Sequence, residues 1–340
     1  MTGLSWPPYP VYLAHDHMDR EEDFARDLAG GVAGKILHLT VDAWLDAPTR
    51  EEYEASYYGD DGHLQRGVGA IGAALARESS SGSRIRVVRT RSDLDVTRDR
   101  GELALVLGAE GGKMIGRDLA VLDALWWLGL RHLQLNWAMR NQIGASQSNE
   151  NEPDEPGLTE FGFSAVERMN ELGMIMDVSH SAPATIRDVL RTTTKPILNS
   201  HSGSRRLADK AQNLHDEQIR DMADIGGVVA VHFCSRLVLG VDDRQADIPD
   251  LIRQIRYVAD VGGIDLVALG PDFILGNPTR DDRYRRNTDQ GSITWTKGLE
   301  SSAELAKLLP ALEEADFSDS EIEKLLGGNL ARLIRDVLPE

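Results

Sequence analysis

The chain has 340 residues, 41% of them apolar and 27% charged, and 37 basic side chains face 55 acidic ones for a net charge of −18. That balance argues against wholesale disorder and against a fibrous protein. So acidic a chain also argues against a nucleic-acid partner, whose phosphates are tracked by Lys and Arg, and against adsorption to an anionic membrane.

Cys234 is the one cysteine, so no intrachain disulfide can form, which matches a reducing compartment. Met1–Ala14 lacks a basic region and carries Pro7, Pro8 and Pro10, unlike a signal peptide. No uncharged apolar run approaches the roughly 18 residues of a membrane span. The expectation is a cytoplasmic protein with no membrane partner.

In chain order, short β-rich runs alternate with longer amphipathic ones. Strands are expected at Val11–Ala14, Val32–Thr40, Leu103–Ala109, His132–Asn136, Met174–Val178, Pro196–Ser200, Gly227–Phe233 and Asp265–Leu269. Helical spacing appears at Leu119–Leu130, Phe161–Leu172, Ile248–Ala259 and Ser302–Leu312, and Pro183 suits a first helical turn in Ser181–Leu190. Eight strands with intervening helices predict an α/β fold, one (β/α)8 TIM-type barrel spanning 1–340. No G-x-G-x-x-G follows the first strand, so a dinucleotide-binding open sheet loses support. Pro48–Gly62, Ser79–Ser83, Gln147–Gly157 and Asn277–Ser292 read as polar loops, and stretches near 138–158 and 277–299 as lids.

Groups able to bind metal stand just after several strands. These are His15-Asp16-His17-Met18-Asp19, Glu110 before Gly111-Gly112, His180 after Asp177-Val178-Ser179, His201 after Ser200, and Asp272 after Gly270-Pro271. A parallel barrel opens all of them onto one face. Imidazole and carboxylate suit Zn²⁺, Mn²⁺ or Fe²⁺, and the number of ligands exceeds what one catalytic zinc takes from protein. The surplus points to two ions sharing a carboxylate. Any single His after a strand is more often an ordinary hydrogen-bonded residue; the coincidence of several carries the reading. His15 competes with His17, because His-x-His is also a ligand pattern and the two point the same way in a strand. His63 and His215 sit in polar segments. His132, at a strand start, falls at the wrong end of the barrel. His38 and His232 could support the ligands from behind. Ser200 and Ser202 beside His201 lack the elbow of a Ser–His nucleophile.

The ordered set His17-x-Asp19, Glu110-Gly111-Gly112, Ala120–Leu135, Gly157–Gly162, Asp177–His180, Ser200-His201-Ser202, Gly270-x-Asp272-Phe273 and Gly328-Asn329-Leu330 resembles the renal or membrane dipeptidases, peptidase family M19 of the amidohydrolase superfamily. The resemblance runs from about Val11 to Leu338. It implies a barrel enzyme with two divalent metal ions, zinc by the family's habit. His17 and Asp19 would hold one ion, His180 and His201 the other, with Glu110 between them. It favours His17 over His15, because the family pattern there is His-x-Asp. Asp272 matches the family's proton-shuttling carboxylate; otherwise it would be a helix cap or a partner of a ligating His.

Two positions depart from that pattern. Trp137 stands where the family's dipeptidases have a His that steadies the reaction intermediate, and Gln212-Asn213 stands for an Arg-Asn pair whose Arg meets the substrate carboxylate. An indole donates one hydrogen bond without charge, and Gln cannot make the bidentate contact of Arg. The expectation is hydrolysis of a small-molecule substrate, a dipeptide or a similar small amide. The alternatives are a non-dipeptide amide such as a modified amino-acid conjugate, and an inactive ligand- or metal-binding homologue. A phosphotriesterase-like site loses support, since Glu110 takes the bridging place that a modified Lys takes there. A homodimer is the default expectation.

Overall fold

The computed structural model describes residues 6–45, 47–59, 62–80, 82–152, 157–274, 285 and 293–340. Nine strands are described: β1 Val11–Asp16, β2 Val32–Val41, β3 Ile85–Val87, β4 Leu103–Glu110, β5 Leu130–Gln134, β6 Ile175–Asp177, β7 Leu198–Ser202, β8 Val228–His232 and β9 Val267–Gly270. All pair in parallel in the order β2-β1-β9-β8-β7-β6-β5-β4-β3, and a β2–β4 pairing closes the ring. Eight strands therefore form a barrel, and these are the eight expected from the sequence. The ninth, β3, adds to the lower part of β4 at Leu103–Leu105, while β5 takes the upper part from Leu107.

Alternation along the strands sorts the core. Leu13, Leu37, Leu107 and Val231 pack outward with the helices, whereas Ala14, Ile36, Val106 and Ala230 join an inner cluster that residues of the last helix, Asn329–Val337, complete. On β4 the inward row reads Ala104, Val106, Gly108, Glu110, and on β8 it reads Val228, Ala230, His232. The barrel thus has an apolar floor and a polar upper layer.

One register shift decides what that layer contains. Leu13 pairs with Lys35 and Asp16 with Leu37, so β1 carries one extra residue there. Such a bulge reverses the facing of the residues beyond it. His15, which simple alternation would send outward with Leu13, turns into the barrel. Asp16 turns out instead and meets Lys35 Nζ at 2.7 Å; Asp27 of the helix Glu21–Ala29 meets the same nitrogen at 2.7 Å.

Most helices fall near their expected places. Pro183 opens Pro183–Thr192, and Ser302–Lys307 is a 3₁₀ turn that runs into Leu308–Glu314. Pro48–Gly62, read as loop, instead contains a helix at Arg50–Tyr58. Thr49 accepts the Glu52 N–H and Glu52 reaches back to Thr49, a capping box that the Thr-x-x-Glu spacing foreshadows. Of the lid stretches, 153–156, 277–284 and 286–292 lie outside the described residues. No described helix is long and apolar enough to cross a membrane.

Candidate metal centre

Six side chains from the upper rim converge. His15 and His17 Nε2 lie 3.1 Å apart, and His180 and His201 Nε2 lie 2.9 Å apart. Glu110 sits between the two pairs. Its Oε2 is 3.3 Å from His17 Nε2, and its Oε1 is 3.2 Å from His180 Nε2 and 3.5 Å from His201 Nε2. Asp272 Oδ1 closes the first pair, 3.6 Å from His15 Nε2 and 3.5 Å from His17 Nε2.

The backbone places these groups under constraint. Asp272 and His180 are non-glycine residues at φ +55° and +62°, a region that costs about 1–3 kcal/mol each. Asp272 N–H donates to His15 O, and His17 N–H donates to Phe273 O, so the segment after β9 is stitched across the top of β1. Gly111, directly after Glu110, has φ +106° and packs where a Cβ would lie 2.2 Å from Asp42 Cγ. Only glycine fits that turn.

Hydrogen bonds to the outer ring nitrogens set the tautomers. His17 Nδ1–H donates to His38 O, leaving the Nε2 lone pair aimed at the two carboxylates. Ser200 Oγ lies 2.8 Å from His15 Nδ1 and 2.9 Å from His201 Nδ1. A hydroxyl has one proton, so at least one of these rings must offer Nδ1–H to it. Nitrogen lone pairs and carboxylates packed this closely repel one another unless a cation lies among them. Separations of 2.9–3.8 Å are also near the ~3.3 Å edges that donors make around an ion held at about 2.0–2.1 Å. The donor set fits divalent metal.

Burial raises the Glu110 carboxyl, but the His17, His180 and His201 imidazoles around it outweigh that and hold the group well below the usual range. Asp272 is likewise raised by burial and lowered further by His232, ending below its ordinary value. His232 is not among the principal residues that the sequence singles out. Its Nδ1 accepts the Cys234 N–H at 2.8 Å, so Nε2 carries the proton and faces Asp272 Oδ2 at 3.2 Å. Burial pushes its pKa down to about 4, keeping it a neutral donor. The inward alternation of Val228, Ala230 and His232 is the sequence signal for it.

Of the residues expected at the site, His17, Glu110, His180, His201 and Asp272 come together. Asp19 does not. It lies past the end of β1, two-fifths exposed, with Oδ2 3.4 Å from Arg77 Nη1. His15 takes a place in the cluster because the bulge turns it inward. His132 is also corrected: β5 begins at Leu130, which puts His132 mid-strand and inside, 3.1 Å from Asp177 Oδ2. Gly108 makes room for it, since a Cβ there would lie 2.7 Å from His132 Nδ1.

Trp137 and Gln212 line the cavity above the cluster, with His232, Cys234, Arg236, Leu237, Ile274 and Ile293. Trp137 is buried against Ala43, Ala47 and Tyr53. Gln212 Nε2 donates to His201 O at 3.0 Å and so fixes the strand end that carries His201. Asn213 does not line the cavity; its Nδ2 donates to Ala208 O and Leu237 O.

The model for the membrane dipeptidase family (peptidase family M19) matches residues 21–338, a span that begins just after the β1 histidines. An uncharacterized protein in the pqqA 5′ region of Klebsiella pneumoniae is 29% identical over 262 residues, covering 76% of this chain and 90% of its own. Two solved structures share the fold across nearly their whole length. Dipeptidase AC, a metallo peptidase of family M19, aligns with TM-score 0.80 and 21% identity over 98% of this chain and 99% of its own. A metallo peptidase from Rhodobacter sphaeroides, bound to a phosphinate mimic of L-Ala-D-Ala, aligns with TM-score 0.78 and 21% identity over 97% and 99%.

Proposed function

This chain belongs to the membrane dipeptidase family, peptidase family M19, and from that premise we propose that it hydrolyses the amide bond of a dipeptide or a similarly small amide at a centre of two divalent ions. The observation that carries the reading is Glu110, whose Oε2 meets His17 and whose Oε1 meets His180 and His201. In this reading His15 and His17 would hold one ion and His180 and His201 the other, with Glu110 available to both. Zinc suits the imidazole-rich set. Such ions supply Lewis acidity toward an amide carbonyl and toward water.

The protein's own groups do the rest. Asp272 takes the proton from the attacking water and returns it to the leaving amine. His232 Nε2–H holds one oxygen of Asp272, leaving the other toward the histidines. Glu110 carries its negative charge at neutral pH and so can serve the cations. Gln212 keeps His201 in place through its carbonyl.

A second reading keeps the hydrolase but changes the substrate. It is favoured by Gln212, a neutral residue whose amide is already committed to His201 O. The deciding experiment is a panel of L,L and L,D dipeptides offered to zinc-loaded protein, with metal content measured on the same sample. Two metals per chain with turnover is the expected outcome. Two metals without turnover would sink the dipeptide and leave other small amides or conjugates.

A further inference from the structure

We infer that Arg236 is the anchor for an anionic group, a carboxylate, on the substrate; the inference rests on the hydrolase reading above and names a specificity-determining residue for it. Arg236 lies in the short helix Ser235–Leu239 that leaves the top of β8, and its half-buried side chain lines the cavity over Glu110 and Asp272. Among the described residues lining that cavity it is the one permanently charged cation. His232 and Cys234, just before it in the chain, line the same cavity, which sets it beside the chemistry.

What distinguishes Arg236 is that its guanidinium makes no hydrogen bond or ion pair among the described residues. Three other basic groups, by contrast, are committed. Arg205 makes two bonds to Glu150, at 2.6 and 2.7 Å, and a third to Asp209. Arg140 holds Glu152, and Lys113 Nζ is bound to the carbonyls of Tyr57 and Gly59. In a chain with 55 acidic side chains, a half-buried arginine normally finds a carboxylate. Here it lines the cavity above the cluster, and its planar fork is built for bidentate carboxylate recognition. Gln212 cannot match that contact, because its amide carries no charge and one of its two N–H donors already meets His201 O. The helix carrying Arg236 is itself fixed: Ser235 Oγ donates to Trp295 O, and Asn213 Nδ2 donates to Leu237 O. The guanidinium is thus held by a rigid base, with no partner among the described residues.

The test is calorimetric binding of a phosphinate dipeptide mimic in two forms, free carboxylate and carboxamide, to the metal-loaded wild type, Arg236→Gln and Arg236→Lys. Metal content of each variant reports that the site is intact. The wild type is expected to prefer the carboxylate form by about ten- to a hundredfold, the span of a charge-assisted contact. Arg236→Gln should bind both forms alike, and Arg236→Lys should keep part of the preference. If the wild type shows no preference, or Arg236→Gln keeps it, the anchor is overturned and the hydrolase reading stands. If the metal-loaded wild type binds neither form, the dipeptide reading falls and takes the anchor with it.

Discussion

Asp272 and His232 divide their work by geometry. One Asp272 oxygen faces the histidine cluster and the other faces His232 Nε2. Asp272→Asn removes a proton carrier and leaves four imidazoles and Glu110 in place, so metal content should stay near wild type while kcat drops by about 10²–10⁴. Near-normal turnover in this variant would dismiss the mechanism. His232 acts as a positioning residue for Asp272 through the Nε2–Oδ2 contact. His232→Leu should lower kcat by about 10–100-fold with KM and metal content little changed, and His232→Gln, which keeps an N–H donor, should recover part of the loss. A fall in KM and kcat together, unrelieved by Gln, would mean a packing role only. His15 and Asp19 test the β1 end. His15→Ala should cost about half of the bound metal, whereas Asp19→Ala, with its carboxylate turned to Arg77, should hold the full complement. Metal analysis after dialysis reads both. The reverse result would restore the His-x-Asp pattern that the sequence suggested.

At the scale of elements, the eight barrel strands were legible because each is a short buried run, and six of them end in Gly, Ser, His or an acid. The polar residues following those runs were legible too, since a parallel barrel gathers strand ends on one face. What the sequence could not convey is the extra residue between Leu13 and Asp16. A bulge is set by pairing with β2, a contact between segments some twenty residues apart, and local alternation carries no trace of it. The same bulge explains Lys35, a charged side chain only 1% exposed in the middle of β2. It neutralises Asp16, which the bulge turns outward, and Asp27 beneath it, and it donates to Met18 O at 2.6 Å. Lys35→Met keeps the length and removes the charge, leaving two buried carboxylates side by side. A loss of about 3–5 kcal/mol is expected. Burial pushes the Asp16 carboxyl up to about 6 even with Lys35 lowering it. The deficit of the variant should therefore narrow as pH falls and Asp16 takes up its proton. Denaturant unfolding at pH 5 and pH 8 would show this, and an equal deficit at both would mean that the triad is not where the energy lies.

For the molecule as a whole, the centre is also a clasp. His15 and His17 belong to the end of β1, Glu110 to β4, His180 to the turn after β6, and His201 to β7, with Asp272 beyond β9. Strands so far apart in sequence are joined below by backbone pairing and above by these side chains, together with backbone bonds such as those between the end of β1 and the segment after β9. Without cations the upper layer sets lone pairs against carboxylates, so part of the folding energy works against closure of the ring. An ion that binds only the folded arrangement stabilises it by mass action, about 4 kcal/mol at a thousandfold excess over its dissociation constant. For a chain of this length that corresponds to a Tm shift of roughly 5 °C per ion. Dialysis against a chelator should lower Tm by that order, and returning zinc should restore it together with any activity. His180→Ala should blunt the zinc response by about half, because one histidine pair would be broken while the other stays whole. A Tm indifferent to chelator and to zinc would mean that the six converging side chains are held by protons and mutual hydrogen bonds instead, and the metal centre would have to be given up.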